Sequence, residues 1–71
     1  MFVDVKIDGE KVQAARERVF LSKSELASRA GLNRNTIGRI EEARATEVYP
    51  RTIRKIAEAL SVDPTSLTPE E

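Results

Sequence analysis

The chain has 71 residues, with twelve Lys and Arg balancing twelve Asp and Glu, and neither cysteine nor histidine. That length holds one small domain, and the missing residue types exclude disulfide staples, the usual zinc ligands and an imidazole base. No apolar run approaches the roughly 18 residues of a transmembrane helix, so the expectation is a soluble, non-enzymatic domain with no cofactor, no metal and no membrane attachment. The balanced charge is unevenly spread: residues 1–10 carry −2, residues 11–44 carry +4 and residues 45–71 carry −2. A basic middle on a neutral protein fits a modest-affinity polyanion binder, and equally a solvated helix surface.

Met1 to Asp8 alternates, with Val3, Val5 and Ile7 on one side and Asp4, Lys6 and Asp8 on the other. This predicts a short half-buried strand that must find a partner. Asp8 is placed to cap a first helix with Val12, Ala15 and Val19 inward. Ser22-Lys23-Ser24-Glu25 spells a capping box, with Leu21 and Leu26 as its hydrophobic staple. Asn33 caps the next helix, and Leu32 with Ile37 repeats the staple. Gly31, just past Ala30, suits a helix end that needs positive φ. Two helices at about 23–30 and 34–42, joined by a turn of roughly three residues, form a steep helical hairpin.

Glu42 to Tyr49 lacks strong periodicity and reads as a loop. Pro50 suits the first turn of a fourth helix, with Ile53, Ile56, Ala57 and Leu60 as its apolar stripe. Asp63-Pro64 starts a short fifth turn or helix anchored by Leu67, and the Pro69-Glu70-Glu71 end frays. The expected fold is all-α, a compact five-helix bundle preceded by a short N-terminal β-like strand. Its divisions are an arm at 1–8, a domain at 9–67 and a tail at 68–71.

The stretch Ser22 to Glu41 resembles the helix-turn-helix of the lambda-repressor-like (Cro/XRE) family. Leu26-Ala27, Gly31, Ile37, Ile40 and Glu41 carry the likeness, with Arg16 upstream and Thr52 to Leu60 downstream. The residues also account for the geometry. Ala27 is small where two helices cross, and Leu26, Leu32, Ile37 and Ile40 fix the second helix of the motif against the first. The outward side of residues 33–39 is then free to enter a DNA major groove about 12 Å wide.

The resemblance implies base reading from the start of that second helix. Arg34 and Asn35 are the main expected readers, with Arg39 as a third reader or phosphate clamp and Thr36 nearby. Arginine pairs bidentately with guanine and asparagine with adenine. Phosphate contacts are expected from Lys23, which stands where the family commonly has glutamine, and from Ser22, Asn33, Arg44 and Arg51. For Ser22 and Asn33 capping is the favoured role. By the same resemblance Arg16 and Glu41 form a partly buried structural ion pair. Three departures stand out: Phe20 replaces a glycine that often ends the first helix, Glu42 replaces a residue that is frequently basic, and Gly38 lies inside the second helix of the motif. A helix-interior glycine costs roughly 1 kcal/mol against alanine, and a close backbone or base, or a helix that must adapt, would explain it.

The leading function is a sequence-specific transcriptional regulator of prokaryotic or phage type. It would act as a repressor in the cytoplasm on the nucleoid, binding double-stranded DNA as a homodimer on an inverted repeat. The N-terminal strand, pairing across the two-fold, is the preferred dimer surface; the Val62–Leu67 end and pairing with Thr46 to Tyr49 within the chain are the alternatives. The second function is an antitoxin or interaction module that holds a toxin or other protein. An enzyme built on Glu25, Glu41 or Glu58 is remote, because so small a core leaves no capacious pocket.

Overall fold

The computed structural model describes residues 4–43 and 46–69. Strand β1 (Val5–Ile7) leads into α1 (Gly9–Arg18), followed by α2 (Lys23–Ala30), α3 (Arg34–Glu42), β2 (Thr46–Val48) and α4 (Pro50–Leu60), and a 3-10 turn spans Pro64–Leu67. Val3 of the expected strand, Arg44 of the loop and Glu70-Glu71 of the tail lie outside the described residues.

Local hydrogen bonds start the helices where the cap residues stand. The Asp8 carboxylate accepts from the Glu10 amide at 2.9 Å and Asn33 Oδ1 accepts from the Asn35 amide at 2.8 Å. In the capping box the Ser22 amide donates to Glu25 Oε1 at 2.8 Å and the Glu25 amide donates to Ser22 Oγ at 3.0 Å. These bonds hold the Glu25 carboxyl below its usual range. Pro50 occupies the first turn of α4, where its missing N–H leaves no bond unmade.

Three helices end in one motif. After α1, α2 and α4 the chain turns through a residue with positive φ: Phe20 at 60°, Gly31 at 70° and Ser61 at 58°. In each case the following amide reaches back five residues, Leu21 to the Arg16 carbonyl, Leu32 to Ala27 and Val62 to Ala57, at 2.8–3.2 Å. This is the Schellman arrangement, and the apolar residue that accompanies it (Leu21, Leu32 or Val62) packs on the core. Phe20 therefore closes its turn in the glycine position. One expectation changes here: Val19 does not point inward but is 47% exposed, and Arg16 takes the buried position beside Val12 and Ala15.

Two further expectations are corrected. Among the described residues there are four α-helices rather than five, because the last element is a single 3-10 turn. Asp63 Oδ1 accepts from both the amide and the hydroxyl of Thr65 at 2.8 and 2.7 Å, and the turn ends at Thr68 before Pro69. A four-residue segment so pinned has no room for successive α-helical bonds. Residues 46–48 of the expected loop form β2, which pairs antiparallel with β1 in the register Val5 with Val48, Lys6 with Glu47 and Ile7 with Thr46. The arm thus finds its partner within the chain, which was the alternative pairing.

The core takes one fully buried large side chain from nearly every element: Ile7 (β1), Val12 (α1), Leu26 (α2), Ile37 (α3), Ile56 (α4) and Leu67 (3-10 turn). The expected α4 stripe of Ile53, Ile56, Ala57 and Leu60 is buried throughout. Ile7 at 0% exposure makes β1 part of this core, and the Asp8 amide ties β1 to the 3-10 turn by donating to the Leu67 carbonyl at 2.8 Å. α2 packs on both α3 and α4, and α1 packs on α3.

Candidate nucleic-acid interface

The second helix of the motif is held from behind. Ile37 and Ile40 are buried in the core, so α3 turns the side carrying Arg34, Asn35, Arg39 and Glu42 to solvent. Its far end is fixed by Glu41, whose carboxylate accepts from Arg16 Nε at 2.7 Å and from Arg16 Nη2 at 2.9 Å. Arg16 Nη1 also donates to the Leu21 carbonyl at 2.8 Å. Both side chains of this bidentate pair are buried. The Glu41 hydrogen bonds hold the Arg16 guanidinium above even the usual arginine range. One arginine therefore joins α1, the turn before α2 and the end of α3.

Gly9 fixes the same end by contact. A Cβ there would collide with the backbone carbonyls of Ile40 and Ala43 and come within 2.9 Å of Glu41 Cα. The start of α1 rests directly on the last turn of α3. The sequence reading did not single out Gly9; its only signal is a glycine directly after a helix cap.

The exposed face of α3 is what these contacts present. Lys23, Arg34, Asn35, Gly38, Arg39 and Glu42 line one open depression. Arg34, Asn35, Arg39 and Glu42 are exposed, and Lys23 at the start of α2 is partly buried. Among the described residues none of Lys23, Arg34 and Arg39 is engaged in an ion pair or side-chain hydrogen bond, so their donors face solvent. Five N–H donors on each arginine and an amide on Asn35 suit the acceptors of base edges and phosphates.

The other expected site residues divide. Thr36 is partly buried on the flank of α3, where it borders a groove with Arg39, Glu47, Val48, Tyr49 and Thr52. Asn33 and Ser22 use their side-chain oxygens as caps, which leaves the Asn33 amide group and the Ser22 hydroxyl proton as outward donors. The Ser22 backbone amide is taken by Glu25. Arg51 is exposed at the start of α4 with its guanidinium 5.7 Å from the centre of the Tyr49 ring, a cation–π distance. Arg44 lies outside the described residues. Tyr49 was not expected at the site, yet it is 49% exposed and brings the start of α4 alongside Arg39. Its signal is an aromatic residue directly before the helix-starting Pro50.

Among the described residues no helix is long and apolar enough to cross a membrane, and no cluster of three or more His, Cys, Asp or Glu could hold a metal ion.

Buried helix backs, a tight turn and an exposed second helix define a helix-turn-helix module. A helix-turn-helix domain family matches residues 9–68, and the chain belongs to that family. The HTH-type transcriptional repressor RghR of Bacillus subtilis is 39% identical over 54 residues, covering 76% of this chain. This chain spans 40% of RghR's length. Among solved structures, the restriction-modification controller protein C.AhdI from Aeromonas hydrophila matches with a TM-score of 0.76 at 31% identity, over 82% of this chain and 86% of that one. The N-terminal DNA-binding domain of the biofilm regulator SinR from Bacillus subtilis matches with a TM-score of 0.79 at 26% identity, over 92% and 94% of the two chains. SinR in complex with DNA matches with a TM-score of 0.76.

Proposed function

We propose that this chain is a sequence-specific DNA-binding transcriptional regulator, a repressor that lays α3 in the major groove of an inverted-repeat operator. The observation that carries this reading is the exposed α3 face, on which Arg34, Asn35 and Arg39 stand free beside Lys23. Arg34 and Asn35 read bases, and Arg39 reads a third base or clamps a phosphate. Thr36 contributes from the flank. Lys23, the Ser22 hydroxyl, Asn33, Arg51 and Arg44 contact phosphates and set the register. Arg16 and Glu41 are positioning residues. RghR's description as a repressor and SinR's complex with DNA support the assignment by relationship.

A single module reads few base pairs, so a homodimer on two half-sites one helical turn apart supplies the specificity a regulator needs. β1 already pairs with β2, which favours the Val62–Leu67 end as the self-association surface. There α1 and the 3-10 turn border an open groove of mixed character, with Ala14, Ala15, Val62 and Leu67 beside Lys11, Arg18, Asp63 and Ser66. Such a protein works in the cytoplasm on the nucleoid and needs no cofactor.

Glu42, exposed on the same face as Arg39, favours one second reading: an antitoxin or adaptor that uses this face for a protein. Selection from a randomised duplex library, repeated with Arg34→Ala and Asn35→Ala, separates the two. An enriched inverted repeat whose specificity relaxes at particular bases in the variants supports the regulator. No enrichment, with only salt-sensitive weak binding, overturns it in favour of a protein partner.

A further inference from the structure

Three glycines occur in the chain, and the fold explains two of them. Gly31 has a φ of 70°, and at Gly9 a side chain would strike the backbone of α3. Gly38 has neither reason. It lies in the interior of α3 with ordinary helical backbone, and beyond its chain neighbours and the helix's own backbone a Cβ built on it meets no atom within 4 Å. A helix-interior glycine lowers stability relative to alanine, and nothing in the fold requires one here.

Its place in the site supplies a reason. Gly38 stands four residues from Arg34 and four from Glu42, in the middle of the face lined by Lys23, Asn35 and Arg39. Among these lining residues Gly38 alone presents no side chain. We propose that Gly38 is a specificity position at which a base pair approaches α3 more closely than any side chain would allow. The inference rests on the DNA-binding reading above and names one contact within it. A bare Cα offers no hydrogen-bonding group of its own side chain, so the edge it suits is the 5-methyl group of thymine, the apolar feature of the major groove. Arg34 and Asn35 then read the neighbouring pairs by hydrogen bonds while Gly38 reads one by shape.

The test is Gly38→Ala, because the fold and the site make opposite demands on it. The added methyl meets no protein atom and favours the helix, so the variant is expected to unfold at a temperature higher by about 4 °C. Its affinity for the duplex selected by the wild-type protein is expected to fall by about tenfold, the scale of one lost base contact. Replacing thymines one at a time by deoxyuridine, which lacks the 5-methyl, is expected to reveal one position where the wild-type protein loses affinity and the variant loses no more. Equal affinity of variant and wild type overturns the inference, as does a variant less stable than the wild type, since the glycine would then serve the fold. If the wild-type protein selects no duplex at all, the DNA-binding reading itself fails. If it selects one and Gly38→Ala binds it equally well, only the role of Gly38 fails.

Discussion

Replacing Glu41 by glutamine is expected to remove about 3 kcal/mol of folding free energy, a value the geometry sets from two directions. The carboxylate accepts two short bonds from Arg16, at 2.7 and 2.9 Å. Glutamine offers one oxygen, so one charge-assisted bond is lost, worth about 1.5–3 kcal/mol. The guanidinium keeps its bond to the Leu21 carbonyl but is left buried without a counterion, and breaking a buried pair on one side costs about 3–5 kcal/mol. A domain of this size has about 4–10 kcal/mol in all, so the loss is a large share of it and lowers the Tm by about 12 °C or more. Arg16→Met is expected to cost a similar amount. The double variant Arg16→Met with Glu41→Leu is expected to recover most of the loss, because no charge is left buried. Urea unfolding followed by far-UV circular dichroism, with the single variant Glu41→Leu measured beside Arg16→Met and the double variant, closes the double-mutant cycle. Single variants that each lose less than about 1 kcal/mol, the range of exposed pairs, would refute the reasoning and remove this pair as the clamp on α3.

Gly9→Ala forces a methyl group onto the Ile40 and Ala43 carbonyls, and overpacking against backbone is expected to cost about 3 kcal/mol in the same urea assay. Phe20→Gly is expected to stabilise by about 0.5–1 kcal/mol, because the ring is 91% exposed and its positive φ is relieved, less the greater freedom of glycine in the unfolded chain. The Glu25 carboxyl is held low by its bonds to Ser22. Its contribution is therefore present above its unfolded value of 4.5 and lost as the pH falls through that value toward the lower folded one. Urea midpoints measured from about pH 3 to pH 7 are expected to vary less with pH in Glu25→Gln than in the wild-type protein.

The legible parts of this protein are those whose partners sit a few residues away. Asp8, Asn33 and the Ser22–Glu25 box each cap amides two or three positions on, so both helices of the motif begin where the residue types place them. The α4 stripe needs only the 3.6-residue period of one helix. The exposed face of α3 follows from the same period once Ile37 and Ile40 are assigned to the core. Of the three Schellman ends only the one with glycine was evident. Phe20 and Ser61 occupy the same left-handed position, and the regular signal was the apolar residue after each, Leu21, Leu32 and Val62.

What the sequence determined by itself was the helix-turn-helix unit and the residue types offered on its open face, because capping, turn chemistry and helical period act over one or two turns of chain. The tertiary structure decided the rest. It joined β1 to β2 across some forty residues, buried Ile7 under that pair, seated Gly9 on the last turn of α3 and moved Thr36 to the flank beside Tyr49. Each of these depends on which surfaces meet after collapse. Short strands and single glycines carry too little local preference to announce such contacts, since the free energy that holds them comes from packing between segments far apart in the chain.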